Sequence, residues 1–339
     1  MTEALKLVGQ IGSPYSRKMR AVLRYRRIPH QWLGHGSDAH RALPPSPLPL
    51  MPCLFYPTPE GYEATSDSTF MIRRLEDEFK GREVLPVDAA LAFIDFLIED
   101  YADEWVTKMM FHYRWAFEEN VDNASSMLPR WSMAIPEDMA NSFRGTFGER
   151  QVGRLGVVGS NAQTAGLIEA SYERLLGILE THLRQHPFVM GQRPGSADFG
   201  LFGQLSQLVQ VEPSSQRIAR ILAPRIIPWC DNVEDLSGWE TSDDGWFDAS
   251  ALPESLRALL GEIGRTYAPF LLGNASALES GAARVECSVD GTPWMQDPFR
   301  YQGKCLGWLR AAYAALGDSE RELVDATLAG SGCEVLFRA

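Results

Sequence analysis

Gly12-Ser13-Pro14-Tyr15-Ser16-Arg17-Lys18 is the stretch that decides the fold. Gly, Ser and Pro in succession break whatever precedes them. Pro14 suits the first turn of a helix, where its missing N–H costs nothing. Met19, Val22, Leu23 and Tyr25 then recur at helical spacing, which puts Arg17, Lys18, Arg20 and Arg24 on the wet side. Upstream, Leu5 to Gln10 alternates apolar and polar residues and reads as a short strand. The stretch is therefore a strand-to-helix junction, and a helix N-terminus of this kind suits an anion.

Further along, Gln31-Trp32-Leu33 predicts a second strand, and 34–49, rich in Gly, Pro and Ser, predicts a loop. Cys53-Leu54-Phe55-Tyr56 and Gly61-Tyr62-Glu63-Ala64 read as paired strands. Ser66 to Phe79 reads as a helix with Phe70, Met71, Leu75 and Phe79 inward. Strand, helix, three strands and helix in about eighty residues make a compact α/β unit. After Pro86 the pattern turns helical. Asp88 to Glu118 is one long stretch, with Leu91, Ile94, Leu97, Ile98, Tyr101, Trp105 and Met109 at helical spacing. Residues 119–165 are less regular and read as an insertion with partial helix. Helices follow over Gly166–Gln185, Asp198–Val211 and Gln216–Val233, with two or three more after 252. Val285 to Trp294 predicts a hairpin around Asp290-Gly291.

The chain has 339 residues, which makes two domains the natural expectation. Hydrophobic residues make up 45% and charged residues 22%, enough apolar material for a core. The net charge of -12 argues against a nucleic-acid footprint and against docking on an anionic membrane. No apolar run reaches the ~20 residues of a membrane span. Met1 to Gly12 lacks a basic region followed by an apolar stretch, so no signal peptide is expected. Five scattered cysteines without a CxxC read as reduced thiols of a cytoplasmic protein.

Three local motifs carry a family resemblance. They are Gly12 to Lys18, Met51-Pro52 ahead of the third strand, and Asp67-Ser68, followed by Ile72 and Leu75, ahead of the next helix. In this order and spacing, the first 85 residues resemble the thioredoxin-like N-terminal domain of cytosolic glutathione transferases. Residues 88–235 resemble their all-helical C-terminal domain. There, Pro194-Gly195-Ser196-Ala197-Asp198-Phe199 resembles the capping motif of the central helix, with Gly195 where the family usually has Ser or Thr. The resemblance implies an α/β thioredoxin-like glutathione-binding domain over 1–85. An all-α glutathione-transferase domain over 88–339 follows, with an insertion at 119–165 and extra helices in a C-terminal extension at 240–339. It also implies glutathione as co-substrate, a small hydrophobic electrophile as second substrate, a cis proline at Pro52 and a possible homodimer.

The chemistry to be served is thiolate formation, because the thiolate is the nucleophile. A free thiol of this type has a pKa of about 8.5. A helix N-terminus contributes roughly 0.3–1 kcal/mol toward an anion. A hydroxyl donating to that charge adds roughly 1.5–3 kcal/mol. One pKa unit is ~1.4 kcal/mol, so the two effects lower the thiol pKa by about a unit or more. By the resemblance Ser13 is the first choice of donor, Ser16 the second and Tyr15 the third. The alternative for the serines is helix capping, and for Tyr15 partial burial. By the same resemblance the Met51 backbone beside Pro52 pairs with the cysteinyl backbone, Ser68 holds the γ-glutamyl carboxylate at a helix start, and Asp67 faces its ammonium. The alternatives are a strand-entry proline and an ordinary cap. On the long helix, Tyr113 and Arg114 are candidates for the second-substrate pocket, against an interhelical packing role. His182 and His186 have metal-pair spacing but no HExxH glutamate and no obvious third ligand, so no metal is expected. Gly153, Gly156 and Gly159 do not form a dinucleotide loop.

Three function readings follow. The first is a glutathione transferase. The second is a non-catalytic binding or scaffold protein of the same fold, suggested by the long extension. The third and weaker one is a glutathione-dependent reductase or lyase, with reduction disfavoured because a hydroxyl stands where exchange needs a thiol.

Overall fold

A computed structural model describes residues 4–46, 48–131 and 135–338. Pro47 of the predicted loop, 132–134 of the predicted insertion and the two ends of the chain lie outside the description. The first unit is β1 (Leu5–Gly9), α1 (Pro14–Tyr25), β2 (His30–Gly34), the short α2 (Asp38–Arg41), β3 (Cys53–Thr58), β4 (Gly61–Ser66) and α3 (Ser68–Glu78). The four strands form one sheet in the order β2-β1-β3-β4, with β2 parallel and β3 antiparallel to β1. This is the expected thioredoxin-like arrangement, and Met51-Pro52 is cis. The loop expected over 34–49 holds the one-turn α2, capped by Ser37.

The helical unit opens with α4 (Ala89–Tyr101), which runs through a wide π-turn at Ala102–Val106 into α5 (Thr107–Ala116). The predicted long helix is thus nearly continuous. The 119–165 segment is more helical than its sequence suggested. It forms α6 (Glu118–Arg130), α7 (Glu137–Val152) and a 3-10 turn at Leu155–Val158. Then come α8 (Ala165–His182), α9 (Ser196–Gln210), α10 (Pro213–Leu222) and α11 (Ile226–Val233). The last two were expected as one helix; Pro224 lies between them and has no N–H to continue the ladder. The C-terminal region adds α12 (Glu254–Ser280), the hairpin β5 (Val285–Val289) and β6 (Thr292–Gln296), α13 (Arg300–Ala314) and α14 (Asp318–Leu328). Asp290 and Gly291 both have positive φ, the backbone a two-residue type I′ turn needs. Among the described residues no helix is long and apolar enough to cross a membrane.

Helix α9 is the axis of the molecule, and nearly every residue of it is buried. Its N-terminus is capped as the sequence implied. Asp198 accepts from the Gly195 N–H at 2.9 Å and from the Val189 N–H at 2.7 Å. Gly203 lets α1 approach closely, since a Cβ there would stand 2.7 Å from the Pro14 carbonyl oxygen.

The basic face of α1 is not wet, contrary to the periodicity reading. Lys18 is fully buried and donates to Glu99 Oε1 and Asp103 Oδ2, both at 2.6 Å. Arg20 and Arg24 pair with Glu234 just beyond α11. This face of α1 meets the helical unit instead of water, and burial of its charges is matched by carboxylates. Phe70 departs in the other direction: it is 44% exposed and its ring meets Trp308 of α13 edge-on.

Behind Lys18 a polar chain continues inward. Ser196 Oγ lies within hydrogen-bond distance of both Asp95 and Glu99. It has one hydrogen to donate. Burial, with no cation against it, pushes the Asp95 carboxyl up to about 8, whereas Lys18 holds Glu99 below its ordinary value. Protonated Asp95 therefore donates to Ser196, and Ser196 donates to ionised Glu99. A carboxyl whose folded pKa is raised contributes stability that is complete below its unfolded pKa and is lost as pH rises through the folded value. Asp95→Asn keeps a donor toward Ser196 and an acceptor for the Ala197 N–H, and it removes this titration. Between about pH 5 and pH 8.5 the urea stability of wild type should fall relative to the variant, by up to ~1.4 kcal/mol per pH unit. Parallel pH profiles for the two proteins would contradict the assignment.

Candidate functional site

Strand register brings the three motifs to one edge of the sheet. Val8 pairs with Cys53, and Cys53 pairs with Ser66. The chain leaving β1 toward Ser13, the chain entering β3 through Met51-Pro52, and the chain leaving β4 into Asp67-Ser68 therefore lie side by side. Two helix N-termini, of α1 and α3, open at that edge.

Ser13 is the N-cap of α1, half-buried, and its Oγ accepts from the Ser16 N–H at 3.3 Å. Among the described residues its hydroxyl hydrogen has no acceptor. Ser16 is fully buried and turned back toward β1, accepting from the Gln10 N–H at 3.3 Å. Gly9 leaves it room: a Cβ there would lie 2.6 Å from Ser16 Oγ. Tyr15 donates its phenol to the Asp103 carbonyl at 2.7 Å. Burial, then the charges of Glu104 and Asp103, push that phenol well above its ordinary range, so it stays protonated and committed. Of the three hydroxyls, Ser13 alone joins partial exposure with an uncommitted hydrogen.

The turn that presents Ser13 is held from α1 and from the helical unit. The Ile11 carbonyl accepts from Arg17 Nε at 3.1 Å and from Gln207 Nε2 at 3.2 Å. The Gly12 carbonyl accepts from Arg114 Nη1 at 2.9 Å. Leu128 and Trp131 of the α6 end cover Gly12 so closely that a Cβ there would fall 2.3 Å from Leu128 Cδ2. These two apolar side chains flank the Ser13 turn, and the sequence reading passed over them.

At the second N-terminus, Asp67 has φ +81, in the left-handed region that non-glycine residues rarely occupy. Such backbone persists where surrounding contacts hold it, and it is enriched at ligand clamps. Here Asp67 Oδ1 accepts from the Thr69 N–H at 3.2 Å, and Oδ2 accepts from the Tyr301 hydroxyl at 2.6 Å. Ser68 is buried at the first helical position. Met51 is half-buried and Pro52 buried. Cys53, next along, is buried against Ser46 and Ser66, and burial pushes its thiol up.

Tyr113 and Arg114 lie deeper. Tyr113 stacks on Phe117 and meets Tyr172 in the helical core. Arg114 is buried, paired with Glu212 and Gln207 besides the Gly12 carbonyl. Both are packed inside the helical unit, as the interhelical alternative has it. Trp294 is buried against Trp105 and Phe270, and Trp308 lies on Phe70. The rings of His182 and His186 meet at a tilt, and both nitrogens of His182 are engaged, by Ser255 and by the Phe188 carbonyl.

Residues 7–83 match the sequence model of the glutathione S-transferase N-terminal domain, and residues 151–232 match that of the C-terminal domain. The chain belongs to the glutathione S-transferase family. No curated protein matches it. Solved structures similar to it include beta-etherase LigF from Sphingobium sp. strain SYK-6, at 15% identity and TM-score 0.48, covering 68% of this chain and 95% of that one. A glutathione transferase family member from Pseudomonas fluorescens pf-5, with two glutathione bound, has 16% identity and TM-score 0.40 over 76% of this chain and 92% of its own. The Tau class transferase from mango, Mangifera indica, has 18% identity and TM-score 0.43 over 69% and 89%. Both family matches end before residue 233, so α12 to α14 lie outside them.

The Arg114 assignment is testable through stability. Arg114→Met leaves the Glu212 carboxylate buried without its cation, which costs ~3–5 kcal/mol. A urea midpoint equal to that of wild type would contradict the clamp.

Proposed function

We propose that this glutathione S-transferase binds glutathione at the sheet edge and acts as a glutathione-using transferase. In this reading Ser13 donates its hydroxyl hydrogen to the thiolate at the N-terminus of α1. The observation that carries it is the convergence of Ser13, Met51-Pro52 and Asp67-Ser68 at one edge, with Ser13 holding the uncommitted hydrogen. The Met51 backbone pairs with the cysteinyl unit, the N-terminus of α3 with Ser68 takes the γ-glutamyl carboxylate, and Asp67 takes its ammonium. The thiolate attacks a small hydrophobic electrophile. That molecule approaches past Leu128 and Trp131, which flank the Ser13 turn, in preference to the Tyr113 and Arg114 side of α5. A cytoplasmic location and a homodimer belong to the same reading.

Thiol-disulfide reduction is the weaker alternative, because residue 13 is a serine and Cys53 is buried with a raised pKa. The non-catalytic alternative is favoured by one observation, the engagement of Asp67 by Tyr301 from the extension.

Ser13→Ala tests the donor role. In wild type, ultraviolet thiolate absorbance of bound glutathione should titrate below the free thiol. In the variant it should shift up by about one pKa unit or more, with binding retained. An unshifted titration would contradict the donor role of Ser13. Absence of binding at millimolar glutathione in a calorimetric titration would overturn the glutathione reading.

A further inference from the structure

Helix α13 belongs to the part of the chain outside both family matches, yet its second residue reaches the candidate site. The Tyr301 hydroxyl donates to Asp67 Oδ2 at 2.6 Å across 234 residues of sequence. Three separate contacts hold it there. Asn274 of α12 donates to the Phe299 carbonyl at 3.0 Å and accepts from the Phe299 N–H at 2.8 Å, fixing the segment just ahead of α13. Gln302 Nε2 donates to Glu104 Oε2 at 2.9 Å. The Tyr301 ring meets Trp308 edge-on at 5.7 Å, and Trp308 in turn meets Phe70 of α3. The hydroxyl is therefore set in place before any ligand arrives, which lowers the ordering cost of binding.

A phenol that donates to a carboxylate still has lone pairs to accept with. Burial, then the bond to Asp67, push this phenol far above its ordinary range, so it remains neutral and keeps its hydrogen on Asp67. Beside it Asp67 supplies the charge, on a left-handed backbone fixed by the Thr69 N–H on one oxygen and by Tyr301 on the other. Two oxygens about one hydrogen bond apart, one anionic and one neutral, match a primary ammonium, whose three N–H groups need separate acceptors.

Resting on the glutathione reading above, we infer that Tyr301 and Asp67 together form the seat for the α-ammonium of the thiol peptide, so that the C-terminal extension selects ligands carrying a free amine. The extension thereby becomes part of the binding site. Tyr301 accepts one N–H of the ammonium, and it orients Asp67 to accept another.

The test compares glutathione with glutaryl-cysteinylglycine, which lacks only the amine, in calorimetric titrations of the full chain. Tyr301→Phe keeps the ring on Trp308 and removes the hydroxyl. Wild type should prefer glutathione. Tyr301→Phe should weaken glutathione by about fivefold to tenfold and leave the deamino peptide unchanged, so that selectivity for the amine falls. Asp67→Asn should lower the same selectivity further. Equal weakening of both peptides, or unchanged affinity for both, would overturn the assignment and leave glutathione binding intact. Tighter binding of both by Tyr301→Phe would also overturn it, making the tyrosine a plug. Binding by the variant but not by wild type has the same meaning. Binding of neither peptide by either protein would overturn the glutathione reading along with it.

Discussion

One buried carboxylate ties the candidate site together. Glu99 Oε1 accepts from Lys18 of α1 at 2.6 Å and from Thr69 of α3 at 3.2 Å. Its Oε2 accepts from Ser196, the first residue of α9, at 2.9 Å. Lys18 stands about one turn beyond Ser13, and Thr69 stands next to Ser68. The two helix N-termini that open at the sheet edge are thus pinned to the same side chain of the helical unit. A buried lysine requires a buried carboxylate, because removing one partner leaves an unmatched charge in low dielectric. This requirement fixes α1 against α4, and with it the direction in which the Ser13 turn faces.

The same logic runs along the whole of α4 and the π-turn after it. Asp95, Glu99, Asp100, Asp103 and Glu104 are all buried and all hydrogen-bonded, with Ser196 shared by the first two and Lys18 by Glu99 and Asp103. Asp100 accepts from Tyr267 of α12 at 2.6 Å, and Glu104 from Gln302 of α13 at 2.9 Å. Asp100 has no cation against it among the described residues, and the pull of Lys108 on Glu104 does not offset burial, so burial pushes the two carboxyls up, to about 7 and about 8. The first unit is held by ionised carboxylates facing Lys18, and the C-terminal extension by carboxyls with raised pKa values facing neutral donors. Removing one partner of such a pair leaves an unmatched polar group in low dielectric, which penalises arrangements that separate the two. Here such pairs fix how three parts of the chain meet at one place.

What could be read from the sequence follows from how local each signal is. The Gly12 to Lys18 junction, the Met51-Pro52 step, the Gly195 to Asp198 cap and the Asp290-Gly291 turn depend on a few adjacent residues, and they stand where they were expected. Lys18 was misplaced because helical periodicity reports an amphipathic face but not what lies across from it; its partners are 81 and 85 residues away. Longer separations, 102 and 234 residues, hid the Arg114 contact with Gly12 and the Tyr301 contact with Asp67. Residues 119–152 looked irregular because α6 and α7 contain Pro129, Gly145 and Gly148, which weaken helical propensity; packing of the two helices on each other overrides it. Tyr113 and Arg114 carried polar groups on a helix near the expected pocket, and only the surrounding helices reveal that both are enclosed.

The central claim is that the two pinned helix N-termini form one thiol-peptide site. A crystal structure of the protein with glutathione tests it most directly. The thiol sulfur should lie within hydrogen-bond distance of Ser13 Oγ, with the γ-glutamyl end on Ser68, Asp67 and Tyr301. Glutathione bound elsewhere, or bound with its sulfur turned away from Ser13, would contradict the account.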